Sequence, residues 1–199
     1  MVVGGSAGGR VRVYDPRTGA VLAGPRDDFG AFGPGYAGGV FVGTDRAGDV
    51  NGDAVPDLAV GTGAGVTARV KVFSGETGAV LYGFQPFGSG FTGGARVALA
   101  YADDDARADI VVGTGPGTAA QVKVFSGATG AQLAAPPGAY APFGSSRAGT
   151  FVGASNDPLA PSAAWTAAPA SAKLGQVVRG VVRVGGRRSP RSSRPARSP

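Results

Sequence analysis

Val70-Lys71-Val72-Phe73-Ser74-Gly75-Glu76-Thr77-Gly78 decides how this chain folds, because it occurs three times. Val11-Arg12-Val13-Tyr14-Asp15-Pro16-Arg17-Thr18-Gly19 begins 59 residues earlier, and Val122-Lys123-Val124-Phe125-Ser126-Gly127-Ala128-Thr129-Gly130 begins 52 residues later. In the central copy Val70 and Val72 face one way and Arg69 and Lys71 the other, the period-two pattern of a half-buried strand. The Thr-Gly ending of each copy is a turn. Self-similarity at this spacing marks a repeat architecture.

Two other blocks travel with the strand. Phe32-Gly33-Pro34-Gly35-Tyr36, Phe87-Gly88-Ser89-Gly90-Phe91 and Phe143-Gly144-Ser145 follow its three copies. Asp57-Leu58-Ala59-Val60-Gly61-Thr62-Gly63 and Asp109-Ile110-Val111-Val112-Gly113-Thr114-Gly115 precede the later two, with Val2-Val3-Gly4-Gly5 as a truncated copy. One full unit spans about residues 39–91, with strands expected at 40–42, 58–61, 69–73 and 79–82. Four short strands in that length match one propeller blade. The expected fold is therefore all-β, a partial β-propeller. It holds about two and a half four-stranded units, roughly 1–36, 37–91 and 92–153, with the terminal ones incomplete.

Composition agrees. The 199 residues include 37 glycines, set between runs rich in Val, Phe and Tyr without the every-third spacing of collagen. There is no Cys and no His, which excludes disulfides, thiolate metal sites and His-based catalytic arrangements. The net charge of +6 divides into −1 over residues 1–153 and +7 over 154–199. The second segment is rich in Ala, Pro, Ser and Arg and cannot bury a core, so we expect it to be disordered, with one isolated strand over 177–184. Its abrupt onset is also what a shifted reading frame in a GC-rich gene would give. The first residues show no signal peptide, and no apolar run is long enough to span a membrane.

Candidate chemistry lies in the loop Asp49-Val50-Asn51-Gly52-Asp53-Ala54-Val55-Pro56-Asp57. Its first, third, fifth and ninth positions carry side-chain oxygens. Ca²⁺ takes about six to eight oxygen ligands. Asp49, Asn51, Asp53 and Asp57 would offer side chains, and Val55 its backbone carbonyl. Helix-flanked calcium loops need an acid at position twelve, but Val60 stands there, inside a strand. Ala54 occupies a position where glycine would relieve the backbone. The second copy, aligned on its last Asp, keeps Asp103, Asp105 and Asp109, with Arg107 in the carbonyl position. It has Tyr101 where the first has Asp49, so it is a degenerate version. The alternative for both loops is an acidic surface turn whose carboxylates bond their own backbone.

This combination resembles the FG-GAP repeat family, found in integrin α-subunit propellers and bacterial surface and secreted proteins. The matching residues are the pairs Phe29-Gly30, Phe32-Gly33, Phe87-Gly88 and Phe143-Gly144, residues 49–57, and the strands that begin at Asp57 and Asp109. The likeness covers roughly residues 2–153 and lacks the Gly-Ala-Pro that follows Phe-Gly in the family. It implies propeller blades, calcium in the acidic loops, and a non-enzymatic role in adhesion or in binding a protein or carbohydrate, outside the cell or at its surface. The open ends imply self-association or further blades.

Other signals are weaker. Gly61-Thr62-Gly63-Ala64-Gly65 and Gly113-Thr114-Gly115-Pro116-Gly117 lack the Lys-Ser/Thr and helix of a phosphate loop and read as turns. Phe32, Phe87, Phe91 and Phe143 recur at equivalent positions, which points to packing between units. Two rival functions remain: a carboxylate-based hydrolase or lyase, for which Asp27-Asp28 is the one further acidic pair, and nucleic-acid binding confined to the basic tail.

Overall fold

Alternating valines give the repeat its strands and glycines give it bends. The computed structural model is accordingly all-β, with no helix among its described residues. Described are residues 1–24, 27–103, 105–134 and 138–154, and the backbone of Ser162–Trp165 and Val182–Gly185.

The first unit contributes β1 (Val2–Gly4), β2 (Arg10–Val13) and β3 (Asp28–Gly30), hydrogen-bonded in that order. The second contributes β4 (Val40–Gly43), β5 (Leu58–Thr62), β6 (Val70–Phe73) and β7 (Val80–Phe84). The third contributes β8 (Ala95–Ala100), β9 (Asp109–Thr114), β10 (Val122–Phe125) and β11 (Ala139–Tyr140). Each sheet is an antiparallel meander, in the orders β4-β5-β6-β7 and β11-β10-β9-β8 for the complete ones. The third unit thus has all four strands, where the sequence reading expected it to be incomplete. Its last strand is only two residues long and lacks valine alternation, so no period announces it.

The repeat is as exact in its turns as in its strands. Gly19, Gly78 and Gly130 have φ of 70, 71 and 71°, left-handed values that favour glycine. Their N–H groups donate to Asp15, Ser74 and Ser126 carbonyls at 2.8, 2.9 and 2.8 Å. Two other glycines serve close approach. A Cβ on Gly61 would stand 2.1 Å from the Ala95 carbonyl oxygen, and one on Gly4 would stand 2.7 Å from that of Val40. A side chain there would push the first strand of the next unit away.

Hydrophobic cores therefore lie between consecutive sheets. Val11, Leu58, Val60 and Phe73 fill the junction of the first and second. Val70, Val72, Val97, Leu99, Ile110 and Val112 fill that of the second and third. Recurrent ring pairs seal the edges, Phe32 against Tyr36 at 5.2 Å and Phe87 against Phe91 at 5.4 Å between centroids. Phe143 breaks the expected pattern: it is largely exposed.

The chain separates into compact units Met1–Asn156 and Asp157–Pro199. In the second, β12 (Ser162–Trp165) pairs antiparallel with β13 (Val182–Gly185), with Ser162 opposite Gly185. The isolated strand expected over 177–184 overlaps β13 and has a partner. The expectation of disorder for the rest of 154–199 lies outside the described residues.

Candidate metal centre

Both acidic loops join the first strand of a unit to the second, β4 to β5 and β8 to β9. The last Asp of each is fully buried, Asp57 immediately before β5 and Asp109 as the first residue of β9. Asp57 Oδ2 accepts from the N–H groups of Val50 and Asn51 at 2.8 and 3.3 Å, and its Oδ1 accepts from Gly75 at 2.9 Å. Asp109 repeats this: Oδ2 accepts from Ala102 and Asp103 at 2.8 and 3.2 Å, and Oδ1 from Gly127 at 3.0 Å. Each carboxylate ties the head of its loop to the Ser-Gly turn after the third strand. Burial pushes both carboxyls above the ordinary carboxylate range, against the lowering effect of the amide donors.

The loops differ in what their other acids do. In the first, Asp49 turns onto its own backbone, accepting from Gly52, Asp53 and Ala54 at 2.6, 3.2 and 2.7 Å. Asn51 donates to Asp53 Oδ2 at 2.8 Å, and Asp53 Oδ1 accepts from Val55 N–H at 2.8 Å. This is largely the self-bonded turn that stood as the alternative reading. Ala54 has φ 65°, the left-handed conformation its position demanded.

In the second loop Asp103 and Asp105 are exposed. Each is engaged through Oδ1, accepting from the N–H groups of Asp105 and Arg107 at 3.0 and 2.7 Å. One oxygen from each of Asp103, Asp105 and Asp109 falls within 4.8 Å of the others. Two oxygens on opposite sides of one calcium ion lie about 4.6–5.2 Å apart, twice the usual metal–oxygen distance. The donor set is all hard oxygen, and a carboxylate oxygen with one hydrogen bond keeps a lone pair. The trio therefore fits a hard cation. Among the described residues this convergence belongs to the loop that lacked a ligand in the sequence, rather than to the one with the fuller set.

The two loops also touch, which sequence reasoning missed. Tyr101 Oη donates to the Ala47 carbonyl at 2.6 Å, and Ala108 N–H donates to that of Asp49 at 2.7 Å. The Arg107 guanidinium donates to the Asn51 carbonyl and lies over Gly52. Expected to offer its backbone carbonyl, Arg107 thus reaches into the neighbouring loop with its side chain. The departure of Tyr101 from the acidic pattern was the available signal: a lost ligand there is a gained tie.

Of the other acidic pair, Asp28 is held by Arg10 and Arg12 at 2.5 and 2.8 Å. Asp27 lines a cleft of about 320 Å³ with Thr44, Phe73 and Asp57. Since Asp57 is committed to backbone amides, the cleft does not pair two working carboxylates. No helix of the described residues is long and apolar enough to cross a membrane. Compared with protein families, curated proteins and solved structures, the chain matches none.

Proposed function

We propose that residues 1–153 are part of an FG-GAP-type β-propeller, a non-enzymatic module that binds calcium in its acidic loops and serves recognition of a protein or carbohydrate at the cell surface or outside the cell. The observation that carries the calcium reading is the convergence of Asp103, Asp105 and Asp109. Repetition supports the rest: two complete four-stranded meanders, an acidic loop at the same point in each, and glycines that let each sheet settle on the next. Calcium bound there would offset the like charge of Asp103 and Asp105 and favour the folded state, the only one in which the trio is assembled. Isothermal titration calorimetry of the full chain with Ca²⁺ tests this. Binding is expected and should be lost in Asp105→Ala, whose side chain is exposed. A flat titration, or one unchanged by the substitution, contradicts the assignment.

A further inference from the structure

Consecutive sheets in this chain meet through a fixed set of contacts, and the first and last sheets each carry half of that set. Arg69 and Lys71 of the second unit lie over the Phe32 ring of the first, both 5.7 Å from its centroid. Lys123 of the third lies over Phe87 of the second, again at 5.7 Å. Each Phe-Gly ring thus takes a cation from the third strand of the following unit. Phe143, the third copy of that ring, is 62% exposed. Arg10 and Arg12, the first copies of those cations, are half-exposed and pair with Asp28.

The strands divide in the same way. β4 pairs with β5 and β8 with β9, and Val60 and Val112 are buried in the cores between consecutive sheets. In the first sheet β1 is the edge, and Val3, the copy of those valines, is 42% exposed. At the other end, Gly149-Thr150-Phe151-Val152-Gly153 repeats Gly39-Val40-Phe41-Val42-Gly43. Thr150 N–H donates to the Thr114 carbonyl at 2.8 Å, just as Val40 N–H donates to that of Gly5 at 3.0 Å. Residues 150–153 are therefore set as a first strand, yet pair with no strand among the described residues, and Phe151 is 83% exposed. Among the described residues no strand flanks the outer side of β1, and no sheet flanks residues 150–153.

We infer that these ends join across two copies. Residues 150–153 of one copy pair antiparallel with β1 of another, and Phe143 of the first slides under Arg10 and Arg12 of the second. The register follows from Val42 opposite Val60 and Val97 opposite Val112, which puts Val152 opposite the second copy's Val3. Within one copy β1 contacts β4 and β4 contacts β8, and residues 152–154 share a cleft with Val2 without pairing with β1. Such a head-to-tail contact is heterologous, so it propagates or closes into a ring. It covers an edge strand that would otherwise template non-specific pairing. It rests on the repeat geometry and is independent of calcium.

The cysteine-free sequence makes the register directly testable. Full-length Val3→Cys and Val152→Cys are mixed, oxidised mildly and resolved without reductant. A disulfide-linked dimer of one chain of each kind is expected, with loss of that dimer when Glu76→Cys replaces either variant. In parallel, sedimentation velocity of the unsubstituted chain should show an association that grows with concentration, and Phe143→Ser should shift it back to monomer. The inference is overturned by a Val3→Cys/Val152→Cys double variant that closes only on itself, by a monomer at every concentration, or by an assembly indifferent to Phe143→Ser.

Discussion

Replacing Asp57 with Asn changes one buried oxygen to an NH₂ group at constant size, and the cost follows from the hydrogen bonds around it. Three backbone N–H groups converge on that carboxylate, from Val50, Asn51 and Gly75. An Asn can turn its carbonyl toward the Val50–Asn51 pair or toward Gly75, not toward both. Its NH₂ then faces a donor. If the Val50 amide loses its acceptor, a buried N–H is left unsatisfied, at about 1–3 kcal/mol. If Gly75 loses it, the partly exposed amide can recruit water and the cost is at the lower end, but a charge-assisted bond is still replaced by donor against donor. Removal of a buried negative charge offsets part of the loss. We expect about 1–2 kcal/mol, which for a chain of this size lowers the melting temperature by about 2–8 °C. The assay is urea and thermal unfolding of the full chain followed by far-ultraviolet circular dichroism, with Glu76→Ala as an exposed control expected to stay within about 0.5 kcal/mol. A loss below about 1 kcal/mol for Asp57→Asn would show that the loop does not depend on this carboxylate, and the account of how the acidic loop is anchored would fail.

Three further outcomes follow. Ala54→Gly should stabilise the chain by about 0.5–1 kcal/mol in the same unfolding assay, because relief of a left-handed Ala exceeds the entropy glycine adds to the unfolded state. Gly61→Ala should destabilise it by about 2–3 kcal/mol, since the new methyl group would meet the Ala95 carbonyl and force β8 away from β5. In chelator, ¹³C-detected titration should place the Asp57 and Asp109 midpoints above the ordinary 3.8. With folded-state values raised, the folded chain holds these protons after the unfolded chain has lost them. The two groups therefore contribute most stability below 3.8, and that contribution falls as pH rises through the folded-state midpoints. Midpoints at or below 3.8 would remove that dependence.

The repeat made most of the fold legible. Val70 and Val72 alternate with Lys71, the Thr-Gly turns recur, and the strands read at 40–42, 58–61, 69–73 and 79–82 form within two residues of those bounds. β11 was hidden because two residues carry no period. The pairing of β12 with β13 was hidden because composition alone described that segment. For the site, spacing identified every acid but not its direction. Asp49 and Asp53 have the spacing of ligands, yet they point at their own loop's amides. That choice depends on the left-handed turn through Gly52 and Ala54, which no count of oxygens reveals. The side chain of Arg107 and the hydroxyl of Tyr101 act across units, so they become visible only once the sheets are stacked.

The central claim is that this chain is a calcium-binding repeat module, and thermal melting of the full chain in excess Ca²⁺ and in chelator tests it most directly. Binding to the folded state alone raises stability by about 2.7 kcal/mol at a hundred-fold excess over Kd. The account predicts a higher melting temperature in calcium and no difference in Asp103→Ala. Identical melting of the unsubstituted chain in calcium and in chelator would contradict it.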